Sequence, residues 1–223
     1  MNYHFQWNPV WKAVPDIMSG LYLTIELTIT SFILGAVISF ALAWAKQSEV
    51  KLLRGMANSW IELARNTPCL FQIYMAYFGL GAFGIEVDSY AAVLGAITFN
   101  TAGYMAEIVR GGLASIDPRQ SRAAAALGMN KWQIFSRILL PQLIPLIYPA
   151  TSNQLIWSLL NTSLGMVVGL QELTGATYAA QSLTFRSFEF FIVTAVVYYV
   201  LVKLVMLLMG GSAWLFVYRK RRS

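Results

Sequence analysis

The chain has 223 residues, 57% of them hydrophobic and 12% charged, with a net charge of +6 and a mean hydropathy of +0.58. So apolar a composition excludes an ordinary water-soluble domain, and the polar residues fall in bands between long apolar runs. The single cysteine, Cys69, excludes an intramolecular disulfide, and the single histidine, His4, excludes a His-based catalytic centre or a multi-His metal site.

The first residues, MNYHFQWNPVWKAVPDIMSG, lack a basic segment followed by an apolar core and do not read as a cleaved signal peptide. Apolar runs of the length needed to cross a hydrocarbon core about 30 Å thick then follow in order. They are about Leu21–Ala45, Leu63–Phe83, Ala91–Leu113, Leu143–Leu170 and Phe190–Trp214. The expected fold is therefore all-α, a single polytopic transmembrane domain over residues 1–223 with five spans. Lys46, Lys51 and Arg54 lie between spans one and two, and Arg119, Arg122, Lys131 and Arg137 between spans three and four. Arg219, Lys220, Arg221 and Arg222 end the chain, whereas the other side receives only Lys12 and Arg186. The excess of basic residues in cytoplasmic loops puts the N-terminus outside and the C-terminus in the cytoplasm. Anchoring at the lipid surface accounts for the net charge, so no nucleic-acid partner is needed.

In the first span Thr24, Thr28 and Ser31 share a helical face, and packing against a neighbouring helix is the preferred reading. At the second span Thr67-Pro68 reads as a helix start, with Thr67 as cap and Pro68 in the first turn, beside Arg65 and Asn66. Such a break can present free N–H groups to a carboxylate; ordinary helix initiation at the interface, with Arg65 snorkelling, is the preferred alternative. The third span offers Asn100, Tyr104 and Glu107 on one face, and the fourth Thr151, Gln154, Ser158 and Asn161. For the fourth span a transport pathway and interhelical hydrogen bonding stay equally open. Lys203, deep in the last run, either snorkels, pairs with an acid such as Glu26, or faces a dimer partner.

The longest polar connection, residues 114–141, reads as two short helices. Asp117-Pro118 starts the first, Gly128 ends it, Asn130 caps the second and Pro141 stops it. Trp132, Phe135, Ile138 and Leu139 form an apolar stripe on the second helix, away from Lys131 and Arg137.

The spacing Ala123-Ala124, Gly128, Ile138, Leu140-Pro141 resembles the EAA loop of bacterial ABC-importer permeases, with Arg122 where that loop has Glu and Arg119 where it often has Gly. ELARNTPCLFQIY (Glu62–Tyr74), AEIVRGGLASID (Ala106–Asp117) and NTSLGMVVGLQEL (Asn161–Leu173) are similar, in the same order, to segments of the polar-amino-acid branch. The resemblance implies an inner-membrane permease subunit of the type I importer fold. It implies docking on cytoplasmic ABC ATPases through residues 118–139, with Arg122, Ala123, Ala124, Gly128, Trp132, Ile138 and Pro141 as the coupling residues. Carried over residue by residue, it implies substrate contacts at Gln154, Asn161 and Ser158, with Arg186, Asn66 and Arg65 nearby. The neutral amides at Gln154 and Asn161 argue for an acidic or polar neutral amino acid, unless a sister subunit holds the substrate site.

No GxxxxGK[ST] phosphate loop occurs. ATP and Mg are therefore expected on two partner ATPase subunits, with no cofactor, metal or catalytic residue on this chain. Five spans enclose too little for a private pathway, so a homodimer or a heterodimer with a sister permease is expected. An amino-acid-binding protein outside the membrane would deliver substrate. A secondary transporter or channel is the alternative; it usually has more spans and an internal inverted repeat, and none is evident.

Overall fold

The computed structural model describes residues 3–213; Trp214 and the basic run Arg219 to Arg222 lie outside the described residues. Among the described residues the secondary structure is helical, joined by short turns. After the short α1 (Asn8–Lys12), α2 runs from Val14 to Lys46, starting well before the expected Leu21. Its first turn carries Pro15 and Asp16, which suit a helix N-terminus. α3 (Lys51–Asn66) follows, then α4 (Cys69–Tyr74), which continues as a π-helical turn, Met75–Gly79. α5 spans Ser89–Ala114, α6 Pro118–Ala126 and α7 Lys131–Ile134, the last continuing as a second π-helical turn, Phe135–Leu139. α8 (Leu140–Asn161) ends in a 3-10 turn, Thr162–Val168, and α9 (Leu173–Thr184) and α10 (Ser187–Ala213) complete the chain.

Among the described residues, four helical stretches are long and apolar enough to cross a membrane: Val14–Lys46, Ser89–Ala114, Lys131–Val168 and Ser187–Ala213. The expected second span, Leu63–Phe83, is not one helix. The segment that leads into it, mostly between the first two expected spans, is the amphipathic α3, which buries Ala57, Ile61 and Ala64 and exposes Lys51, Arg54 and Glu62. The apolar piece Cys69–Gly79 is six α-helical and five π-helical residues, about 16 Å at ~1.5 Å per residue.

α2 and α5 form the central pair. Gly35 lets them touch, since a Cβ there would lie 2.8 Å from Thr101. The polar face of the first span is spent on this packing. Thr24, Thr28 and Ser31 are buried, and Thr28 and Ser31 donate to α2's own carbonyls at Thr24 and Thr28. Leu27, Ile73, Val93, Ile97, Val168 and Leu170 make one apolar cluster around this pair.

Glu172, buried, binds three elements together. Its carboxylate accepts the N–H groups of Thr174 (3.0 Å) and Gly175 (2.9 Å), capping α9. It also accepts the hydroxyls of Tyr198 on α10 (3.0 Å) and Thr24 on α2 (3.4 Å). At the same end of the molecule Glu189, also buried, holds the N-terminal segment by accepting from Tyr3 Oη and from Gln6 N (2.8 Å). The bond from Tyr3 to this carboxylate raises the phenol above its ordinary pKa. Lys203 pairs with no acid among the described residues. It lies 5.4 Å from the Tyr199 ring centroid, while Glu26 accepts from Tyr90 Oη.

Candidate functional site

Pro68 creates the site. Lacking an N–H, it cannot bond to the Ala64 carbonyl four residues back, so the helix breaks and that acceptor is orphaned inside the molecule. Two side-chain amides repair the loss. Gln72 Nε2 and Asn100 Nδ2 each donate to Ala64 O at 3.0 Å. Gln72 also reaches Thr67 O (3.1 Å) and Thr67 Oγ1 (2.9 Å), and Asn100 donates to Gln72 Oε1 (3.2 Å). The close approach needs Gly103, where a Cβ would sit 2.5 Å from that of Ala64. Thr67, expected to cap α4, instead donates its hydroxyl back to Leu63 O (2.7 Å), and α4 starts at Cys69 without a side-chain cap. The proline has turned Thr67 into the end of α3.

Between this break, α5 and α8 lies a cavity of about 620 Å³. Its wall includes Arg65, Asn66, Asn100, Tyr104, Asn153, Gln154, Trp157 and Asn161. Among the described residues, Arg65 is the charged residue on that wall, and no acid lines it. Gln154 is only 6% exposed. Among the described residues, no hydrogen bond ties the side-chain amides of Asn153, Gln154 or Asn161 to the protein. A buried amide such as Gln154 is ordinarily satisfied; with half-buried Asn161 and exposed Asn153 it offers unspent donors and acceptors to the cavity.

Glu107 on α5 anchors Arg65 from behind. Its Oε1 takes Lys46 Nζ at 2.7 Å, and its Oε2 takes Arg110 Nε at 2.8 Å and Arg65 Nη1 at 3.6 Å. Three cations from the ends of α2, α3 and α5 thus share one carboxylate. Arg65 is the least engaged; its guanidinium lies 5.8 Å from the Tyr104 ring centroid, and its side chain is 43% exposed. Part-exposed pairs of this kind contribute at most about 1 kcal/mol each, so Arg65 is held in place yet is free to meet another anion.

Of the expected substrate contacts, the cavity gathers Arg65, Asn66, Gln154 and Asn161 but not Ser158 or Arg186. Ser158 is fully buried, shares a 2.9 Å hydrogen bond with Thr101 on α5 and donates to Gln154 O, so it fastens α8 to α5. Arg186 donates to His4 O at 3.3 Å, in the turn that carries the N-terminal segment. Thr151 leaves its buried hydroxyl unpaired. Sequence reasoning did not single out Gln72 or Asn153. A glutamine one turn after a proline break was the available signal for Gln72.

The loop between α5 and α8 is built as expected at both caps. Asp117 accepts Arg119 N at 2.8 Å, and Gly128 adopts φ +83°. Around that glycine Met129 N bonds Ala124 O and Gly128 N bonds Ala125 O, a Schellman closure. Asn130 and Gln133 cap α7 reciprocally, each bond 2.9 Å. Arg122, Ala123 and Trp132 are exposed, Ala124 is buried and Ile138 half-buried. Pro141 does not stop the second helix. In the π-helical turn before it Leu140 N bonds Phe135 O, a wider spacing that lets the chain pass the proline and run on to Val168. Gln142 then donates to Gln120 Oε1 (2.7 Å) and Ile138 O (2.8 Å), tying α8 to α6.

The chain is 35% identical over 201 residues to the octopine transport system permease protein OccM of Rhizobium radiobacter, covering 86% of this chain and 82% of that one. It is 33% identical over 190 residues to the arginine transport system permease protein ArtQ of Bacillus subtilis (strain 168), covering 85% and 87%. Among solved structures it superposes on an amino acid ABC transporter crystallised with histidines, with a TM-score of 0.87 and 33% identity over 93% of this chain and 97% of that one. The family profile described as binding-protein-dependent transport system inner membrane component matches residues 35–212. With that match over most of its length, the chain belongs to the binding-protein-dependent transport system inner membrane components.

Proposed function

We propose that this chain is the permease subunit of an ATP-driven importer of polar amino acids, with the cavity beside the Pro68 break as its substrate site. The observation that carries the reading is the wall chemistry: one cation, no acid, and three amides with unspent hydrogen bonds. A zwitterionic amino acid fits it, its carboxylate at Arg65 and Asn66 and an uncharged or acidic side chain against Asn153, Gln154 and Asn161. The α-ammonium is left to amide oxygens of that wall, and a cationic side chain would put a second positive charge there with no acid to meet it. The relatives' names support amino-acid transport, and the amides favour a neutral or acidic substrate.

The end carrying Lys46, Lys51, Arg54, Arg119, Arg122 and Lys131 faces the cytoplasm, by the charge bias of membrane proteins. There α6 and α7 dock on a cytoplasmic ATPase, one of two such subunits in the complex that bind ATP and Mg; this chain carries no cofactor of its own and is not an enzyme. The broken segment Lys51–Gly79 completes the set of spans. A second permease, identical or sister, closes the pathway, and a binding protein delivers substrate from outside.

The test is uptake into proteoliposomes that hold the chain with its co-purified partners. ATP-dependent accumulation, blocked by neutral or acidic amino acids and not by cationic ones, is the expected result. Uptake that survives ATP depletion under an ion gradient would make the chain a secondary transporter. ATP-dependent uptake unaffected by changes to Arg65 and Gln154 would move the substrate site to a sister subunit.

A further inference from the structure

Glu107 neutralises one of the three cations that surround it, and the surplus charge faces a second cavity. This cavity, about 390 Å³, lies between the ends of α2 and α5 and the first turn of α6. Lys46 and Arg110 line it, with Gln47 beside them and Pro118 and Ser121 of α6 opposite. Arg110 spends its Nε on Glu107, which leaves the terminal nitrogens of its fork without an acid among the described residues. Among the described residues no acid lines the cavity. Both oxygens of Glu107 are taken, and Asp117 caps α6 through Arg119 N. The N-terminus of α6 is itself capped by Asp117, so the positive charge of this space comes from Lys46 and Arg110. The remaining wall is apolar, with Ala43, Ala106, Leu113 and Leu139 among its residues.

We propose that this cavity is a phosphate-binding site at the root of the coupling loop. An arginine fork, a lysine and a hydroxyl line one cavity, the donor set a phosphate requires. The phosphate comes from an anionic phospholipid headgroup or from a soluble phosphate ester. A position at the cytoplasmic ends of α2 and α5 suits the lipid, whose glycerol and upper acyl carbons the apolar wall receives. Because α6 forms one side, a bound phosphate ties the loop to α2 and α5. Occupancy thereby favours the loop position that couples to the ATPase. This placement rests on the cytoplasmic orientation proposed above.

The complex with its ATPase, purified into nanodiscs, is compared in phosphatidylglycerol and in phosphatidylcholine, and retained lipid is counted by native mass spectrometry. The wild type is expected to retain phosphatidylglycerol about tenfold or more over phosphatidylcholine. Ser121→Glu, which adds an acid to the cavity without touching the Glu107 ion pairs, is expected to abolish that preference. If Ser121→Glu fails to assemble, Lys46→Gln is read in the same way. Displacement of phosphatidylglycerol by millimolar glycerol phosphate identifies the ligand as a soluble phosphate ester, and no displacement identifies the lipid. Equal retention of the two lipids by the wild type, without glycerol phosphate binding, overturns the proposal, as does an unchanged preference in the variants. Substrate uptake in phosphatidylcholine, measured in parallel, tests the importer reading separately.

Discussion

Arg65 and Gln154 contribute to the cavity in different ways, and their removal is expected to separate kinetically. Arg65 offers a charged donor that Glu107 only partly uses. A hydrogen bond to a charged group is worth ~1.5–3 kcal/mol, so Arg65→Gln raises the KM for uptake by about tenfold or more. Gln154→Ala removes a neutral donor and acceptor worth ~0.5–1.5 kcal/mol, and a rise of a few-fold is expected. Initial-rate uptake in proteoliposomes, with kcat followed alongside KM, distinguishes the two. Gln72→Leu acts on stability instead. It leaves the Ala64 carbonyl with one donor and Thr67 without its partner, a loss of about 1–3 kcal/mol. Thermal unfolding of the solubilised chain reads that loss, and an unchanged Tm would show that water replaces the amide. Arg65, Asn66, Gln154 and Asn161 were legible in the sequence because polar groups stand out in an apolar run. Gln72 was not, because its role depends on a donor that Pro68 lacks. Glu172 was not, because the hydroxyls it binds come from Thr24 and Tyr198, far away along the chain.

The elements of the coupling loop were legible at their capped ends and misread where the chain runs on. Asp117, Gly128 and Asn130 act locally, so their identity fixes their role. Pro141 is passed through the π-helical turn Phe135–Leu139, and Pro145 and Pro149 lie inside α8 as well, so a proline in this segment does not mark a helix end. Most of α3 and all of α9 fall between the expected spans because neither holds the apolar run of ~20 residues that a crossing needs. One consequence is mechanical: Lys131–Val168 runs without a break from the exposed loop to the cavity wall. Movement at Trp132 therefore reaches Gln154 through a single element. Gly128→Leu forces a side chain into the left-handed region at about 1–2 kcal/mol and breaks the closure between α6 and α7. Insertion is expected to persist while ATPase association and uptake are lost, as read by membrane fractionation and pull-down. Normal transport in that variant would remove the loop from the coupling path. Arg122 is exposed where the resembled loop carries Glu. Arg122→Glu is expected to weaken coupling if the partner ATPase presents an acid there, and unchanged ATPase stimulation by substrate would make the difference neutral.

At the scale of the whole molecule, α10 fully buries only Glu189, Phe190, Thr194 and Leu201, half-buries a stripe that includes Val193, Val197 and Val202, and exposes Phe191, Ile192, Val196, Val200, Leu204, Leu207 and Leu208. Lipid or a second permease must cover that surface in a membrane. Purification of the tagged chain under mild conditions is expected to bring down an ATPase and a second copy or a sister permease. Recovery of a lone monomer that still transports would rule out a shared pathway. The all-helical class and the order of the apolar segments followed from hydropathy alone, since bilayer thickness sets the length of each run. The split second span did not, because hydropathy averages across a break that one proline and two amides create. That break also gives the cavity a built-in optical label. The Ala64 carbonyl accepts two side-chain amides instead of a backbone N–H, so its amide vibration is displaced from that of the helical carbonyls around it. An isotope-labelled Ala64 would report, by infrared spectroscopy and without a probe in the pathway, each opening of the wall beside Arg65.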